Sequence, residues 1–200
     1  MNKAISTIVV SFMGVDGSGK STLIKKIRKK LNTRFVIKYL HLRPYLFLTD
    51  KRNVIKNPHK LKKKQLKIIS FLRLLIWFFL YKLFFYFNVK KKKQIIIFDR
   101  YVHDIIIDPI RYRFNLSSKL KKKILSFFPE PHLWIILNVD PKIAYKRKKE
   151  ISLKETIRQS NEYIKFKNKK KNSILVNTSN SIDKSASKIL KEMNKICNNF

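Results

Sequence analysis

Only three glycines occur among these 200 residues, Gly14, Gly17 and Gly19, and all three fall within one span of six. A chain so averse to glycine keeps it where no side chain fits or where the backbone must take left-handed angles. The text before them, Ile8-Val9-Val10-Ser11-Phe12-Met13, is an apolar, β-prone run. The text after them, Leu23-Ile24-Lys25-Lys26-Ile27, continues an amphipathic helix. Between the two stands Gly14-Val15-Asp16-Gly17-Ser18-Gly19-Lys20-Ser21-Thr22, which fits G-x-x-x-x-G-K-S. A strand turning through such a loop into a helix offers an anion a row of backbone N–H groups and the positive end of the helix dipole. All nine residues of the loop are therefore candidates for cradling a polyphosphate. Lys20 is placed to reach the β- and γ-phosphates as a catalytic cation, and the Ser21 hydroxyl to ligate Mg²⁺.

Short apolar runs recur along the rest of the chain with helical stretches between them. Strands are expected at 5–13, 34–42, 94–99, 133–139 and 173–177, and helices at 20–32, 60–88, 117–127, 141–149, 152–168 and 183–197. The strands are nearly continuous in apolar residues, which suits a parallel sheet covered on both faces. Strand–helix alternation from end to end implies a single α/β layer sandwich over 1–200, with no repeat and no linker. The lone cysteine, Cys197, excludes a disulfide framework, and the four scattered histidines make no zinc spacing. With no secretory signal evident, a reducing cytoplasm is the expected compartment.

The net charge of +35 rests on 37 Lys and 10 Arg against 12 acids. Lysine is the generic way to be basic, whereas arginine does bidentate phosphate work, so most of this charge reads as background and no nucleic-acid partner is expected. The run 68–87, IISFLRLLIWFFLYKLFFYF, is long enough to cross a bilayer. A span there would put the glycine-rich loop and the 94–99 strand on opposite sides of a membrane, although they belong in one sheet. The run is therefore read as a core helix with a greasy surface. Peripheral contact with anionic lipid and assembly into a homodimer both stay open.

Acids this scarce are informative. Asp16 lies inside the anion-attracting loop, where it suits a neutral or hydroxylic part of a second substrate. Asp99 ends the strand Ile95-Ile96-Ile97-Phe98, where open α/β sheets place their ligands, and is a candidate for Mg²⁺ and acceptor binding. Arg100 follows it as a clamp for an acceptor phosphate. Asp104 and Asp108 read equally well as helix caps or surface partners of Arg111 and Arg113. Farther on, Arg147 and Arg158 are candidates for a mobile cation over the γ-phosphate.

Taken together, these residues resemble the thymidylate kinase family of P-loop nucleotide kinases over most of the chain. The loop Phe12 to Thr22 is close to the family's spelling, including its Asp. Asp99-Arg100-Tyr101 resembles the family's Asp-Arg-Tyr, and Leu137-Asn138-Val139-Asp140-Pro141 with Arg147 resembles its fourth strand and the start of its lid. The resemblance implies a P-loop NTPase fold with a five-stranded, mostly parallel sheet and a lid at about 143–160. It implies ATP and Mg²⁺ as donor and cofactor, and a small phosphorylated acceptor, dTMP first. It also implies that Asp16 meets the acceptor's sugar hydroxyl, Arg100 its phosphate, and Arg147 or Arg158 the transferring group. Arg43 joins the acceptor set. Two stretches depart from the pattern: His41-Leu42-Arg43-Pro44-Tyr45 stands for the family's Arg-Glu-Pro-Gly-Gly-Thr, and Val102-His103-Asp104 follows the Asp-Arg-Tyr. These departures resemble thymidylate kinase-like proteins from surface-polysaccharide contexts, which leaves another small acceptor as an alternative. A membrane-associated nucleotide-binding module without acceptor chemistry is the other.

Overall fold

The computed structural model describes residues 7–42, 66–88, 93–179 and 181–198. Five strands, β1 (Thr7–Met13), β2 (Val36–His41), β3 (Gln94–Asp99), β4 (Leu133–Asn138) and β5 (Ser173–Asn177), make one sheet in the order β2-β3-β1-β4-β5. Every pairing is parallel, so the mostly parallel sheet expected from the sequence is wholly parallel among the described strands. All five lie within two residues of their expected bounds.

The helices are α1 (Lys20–Leu31), α2 (Lys67–Asn88), α3 (Asp104–Ile107), α4 (Ser118–Leu125), α5 (Pro141–Arg147), α6 (Leu153–Lys169) and α7 (Ile182–Asn198). The short α3 was not anticipated; four residues are too few to show a helical period. Local chemistry sets several starts. Asp140 accepts from the Lys142 amide at 2.7 Å with Pro141 in the first turn. Ser152 accepts from the Glu155 amide at 3.2 Å, the two residues spaced as in a capping box. The expected helix at 60–88 is seen from Lys67 onward; residues 60–65 lie outside the described ones.

Alternate residues of the central strands feed two cores. Ile8, Val10 and Phe12 of β1 and Ile95 and Ile97 of β3 pack with Leu23, Ile27, Ile189 and Met193 of α1 and α7. Val9, Met13, Ile96 and Phe98 pack on the other face with Leu74, Trp77, Tyr81 and Phe84 of α2 and with Tyr101, Trp134 and Tyr163. That burial on both faces is why the strands read as unbroken apolar runs. It also brings the C-terminal ends of β1 and β3 together, with Phe12 paired to Asp99.

Candidate active site

The glycine-rich loop leaves β1 at Gly14 and enters α1 at Lys20. Gly17 and Gly19 hold φ of +79° and +84°, the left-handed region that favours glycine. A Cβ on Gly17 would also sit 2.3 Å from the Ala144 carbonyl, because α5 lies directly on the loop. At Gly19 the space is open, so there only the backbone angle calls for glycine.

Lys20 folds back over this loop, its ammonium donating to the carbonyls of Gly14 and Val15, both at 2.7 Å, and to Ser18 Oγ at 3.3 Å. Burial, together with repulsion from Arg100, pushes its pKa down to about 7 against the pull of Asp16, Asp99 and Asp104. Its partners in the loop are neutral, so the charge stands unneutralised at close range. Ser21 lies exposed in the first turn of α1.

Arg100 follows β3 with φ +70°, a left-handed angle that a non-glycine residue adopts only where the surroundings hold it. Its amide donates to the Phe12 carbonyl at 2.8 Å, which turns the side chain in between the strand ends. The buried guanidinium meets Asp16 at 2.5 Å and Asp104 at 2.5 Å, with the Tyr163 hydroxyl at 3.2 Å. Asp104 also accepts from Tyr112 at 2.9 Å and Tyr163 at 2.5 Å. Burial alone would lower the Arg100 pKa, but the neighbouring carboxylates hold it well above its ordinary value. Asp16, itself desolvated, is kept well below the usual carboxylate range by Arg100, Lys20 and Arg111.

Asp99 faces the edge strand β2. Its Oδ2 accepts from the Tyr39 hydroxyl at 2.9 Å and lies 3.8 Å from His41 Nδ1. Burial would raise this carboxyl; the neighbouring His41, Lys20 and Tyr39 outweigh it and lower the pKa. Its Oδ1 is buried and has no hydrogen-bond partner among the described residues. A buried anionic oxygen left unpaired is costly unless something cationic or a bound water meets it. With the Ser21 hydroxyl, this donor set fits Mg²⁺, which binds few protein ligands and completes its shell with water and phosphate.

The candidate lid begins on α5. Arg147 Nη1 donates to the Gly17 carbonyl at 3.3 Å, and its side chain lines a cleft of about 240 Å³. Gly19, Leu23, Thr178 and Ile182 share that cleft, which opens beside the start of α1. Arg158 stands elsewhere, held by Glu155 at 2.6 Å and by the Ile107 carbonyl at 2.6 Å. The structure thus places Arg147 at the loop and Arg158 in a local pair on α6. Arg43 lies outside the described residues.

Two features went unread in the sequence. Arg111 pairs with Asp16, with Asp108 at 3.2 Å and with Glu150 of the candidate lid at 3.0 Å, tying that segment to the loop. Its only sequence signal is the Asp three residues before it. Asp104 is neither a cap nor a surface partner of Arg113; it is fully buried beneath Arg100. Asp108 does partner Arg111, but in the interior.

The sequence matches the thymidylate kinase family model over residues 12–189. A probable thymidylate kinase of Sulfolobus acidocaldarius is 25% identical over 192 residues, covering 88% of this chain and 90% of that one. Among solved structures, thymidylate kinase from Candida albicans shares the fold with a TM-score of 0.64 at 17% identity, over 96% of this chain and 94% of the other. Deoxyadenosine kinase from M. mycoides with products dCMP and dCDP gives 0.63 at 19%, over 94% and 100%. A phosphate loop, an arginine at the adjoining strand end and a match across nearly the whole chain lead to one conclusion: this protein belongs to the thymidylate kinase family and is a nucleotide kinase, a phosphotransferase.

Proposed function

We propose that the protein transfers the γ-phosphoryl of ATP to a nucleoside monophosphate, dTMP first, in the cytoplasm. The observation that carries this reading is the 2.5 Å pair between Arg100 and Asp16. It sets a cation suited to an acceptor phosphate against the loop that holds the donor phosphates, so the two substrates' reacting ends would meet there.

The donor's nucleoside would occupy the cleft lined by Leu23, Thr178 and Ile182. Its phosphates would lie along the amides of Gly14 to Thr22, and Lys20 would exchange the neutral carbonyls of Gly14 and Val15 for phosphate oxygens. Mg²⁺, held by Ser21 and through Asp99 Oδ1, would supply charge neutralisation to the triphosphate. Arg100 would take the acceptor phosphate and Asp16 the sugar hydroxyl, with Arg43 as a further acceptor contact. An acceptor phosphate brings its own nucleophilic oxygen, so no side-chain base is required; the work is positioning and charge stabilisation. Arg147, already on the loop, is the better placed lid cation, and Arg158 would have to leave Glu155 to serve.

ADP release from ATP and Mg²⁺ with a panel of nucleoside monophosphates, deoxynucleosides and sugars tests the reading. Stimulation by dTMP above the other acceptors is expected. Turnover only with unphosphorylated acceptors, or with none, would sink it.

A further inference from the structure

Helices α3, α4 and α6 enclose a cavity of about 470 Å³, within the roughly 300–1,000 Å³ of small-molecule sites. None of its lining residues belongs to the cleft beside the start of α1. The wall between this cavity and the Arg100 cluster is α3. At about 100° per residue, His103, Ile106 and Ile107 fall on one side of that turn and line the cavity, while Asp104 falls on the other and holds Arg100. Phosphoryl transfer gives His103 no task, although it is one of the residues that depart from the family pattern after Asp99-Arg100-Tyr101.

The floor of the cavity is apolar and aromatic. Phe166 lines it, its ring meeting Trp134 at 5.0 Å and His103 at 5.7 Å. His103 is only 5% exposed, yet its Nδ1 has no hydrogen-bond partner among the described residues. Burial and the nearby Lys170 push its pKa down to about 3, so it stands there as a neutral imidazole. A buried nitrogen left alone is satisfied only by water or by a group brought from outside the fold. The rim is basic, with five Lys and Arg against two Glu. Both acids are already taken, Glu162 by Lys165 at 2.9 Å and Glu130 by Lys170, while Arg158 is held by Glu155. Lys122 of α4 and Lys169 of α6 form no ion pair among the described residues. Uncompensated cations over an aromatic floor match a molecule that joins a flat apolar body to an anionic group.

We propose that this cavity is a second binding site, for a small aromatic anion whose ring lies against Phe166 and His103 and whose charge meets Lys122 and Lys169. Calorimetric titration of the full chain with naphthyl phosphate, with and without saturating ADP and Mg²⁺, tests it. Imidazole NMR of the histidine-labelled chain locates the ligand, the His103 signal being assigned by its loss in His103→Phe. Naphthyl phosphate should shift that signal and bind at least about tenfold more tightly than naphthol, which lacks the charge, or inorganic phosphate, which lacks the ring. K122E/K169E changes two exposed side chains and should weaken binding by a similar factor while keeping the thermal transition. AMP and benzoate then distinguish a nucleotide from an aromatic acid as the source of this chemistry, and either one binding above phosphate supports the site. An unmoved His103 signal, equal binding to K122E/K169E, or naphthol or phosphate binding as tightly as naphthyl phosphate overturns the inference. Displacement by ADP and Mg²⁺ overturns it too, by giving the ligand to the glycine-rich loop.

Discussion

Lys20 and Arg100 are both buried cations at the same edge of the sheet, yet their surroundings push them in opposite directions. Lys20 rests on neutral carbonyls, and burial drives its pKa down to about 7. Arg100 touches two carboxylates, and its pKa rises despite deeper burial. Lys20 touches no anion; Arg100 touches two, so any further anion there would share it with Asp16 and Asp104. A lysine can lose its proton when desolvated, whereas a guanidinium cannot, which suits each residue to its position.

The sharpest way to break this contrast is to remove each cation. Lys20→Met should cut kcat by about 10²–10³-fold or more, yet leave thermal stability equal or higher, because a poorly compensated charge has gone. ADP release and a circular-dichroism melt read the two effects separately. Arg100→Met should abolish acceptor-dependent turnover and also cost about 3–5 kcal/mol in urea denaturation, since Asp104 is left buried without its cation. If Lys20→Met unfolded the chain as readily as Arg100→Met, the distinction would be lost.

On the proposed lid, Arg147→Ala should lower kcat by about 10²-fold, while Arg158→Ala, which breaks a half-exposed pair with Glu155, should change it by no more than about threefold. The reverse ranking would move the lid cation to α6. Arg111→Gln should fall between them, loosening Glu150 from Asp16 and raising the KM for acceptor more than it lowers kcat.

The smallest effect is the pH dependence of Lys20. Its folded pKa of about 7 lies below the ordinary 10.5, so the unfolded chain binds the extra proton between those values. Stability therefore rises with pH across that window, and the penalty is fully present below about pH 7. The melting temperature of the wild type should gain on that of Lys20→Met from pH 7 upward. ATP binding near pH 8 should take up a proton, visible as a buffer-dependent calorimetric enthalpy; no buffer dependence would mean that Lys20 is already charged.

Much of the setting of the glycine-rich loop was legible before any coordinates. The strand, the glycine loop and the helix start follow from local patterns, and the five strands fell within two residues of expectation. The cluster of charges around Arg100 was less so. Asp104 read equally well as a cap or a surface partner because two of its partners, Tyr112 and Tyr163, come from eight and 59 residues away, and its pairing with Arg100 depends on how the chain turns after β3. Arg111 was hidden among 47 basic residues, with no local pattern beyond Asp108 to single it out. Arg158 and Arg147 could not be ranked, since the spacing along a helix does not say which one meets the loop.

The sequence by itself determined the phosphate loop, because three glycines, a lysine and a serine act on backbone atoms a few residues away. It also settled the alternation of strand and helix, because burial on both faces of a sheet writes itself as an apolar run. Only the tertiary structure decided which acids and arginines share the site. Parallel strands bring distant ends together at one edge, and desolvation there selects the charges that can be paired. The three glycines announced where the loop turns; the packing around Arg100 decided what stands beside it.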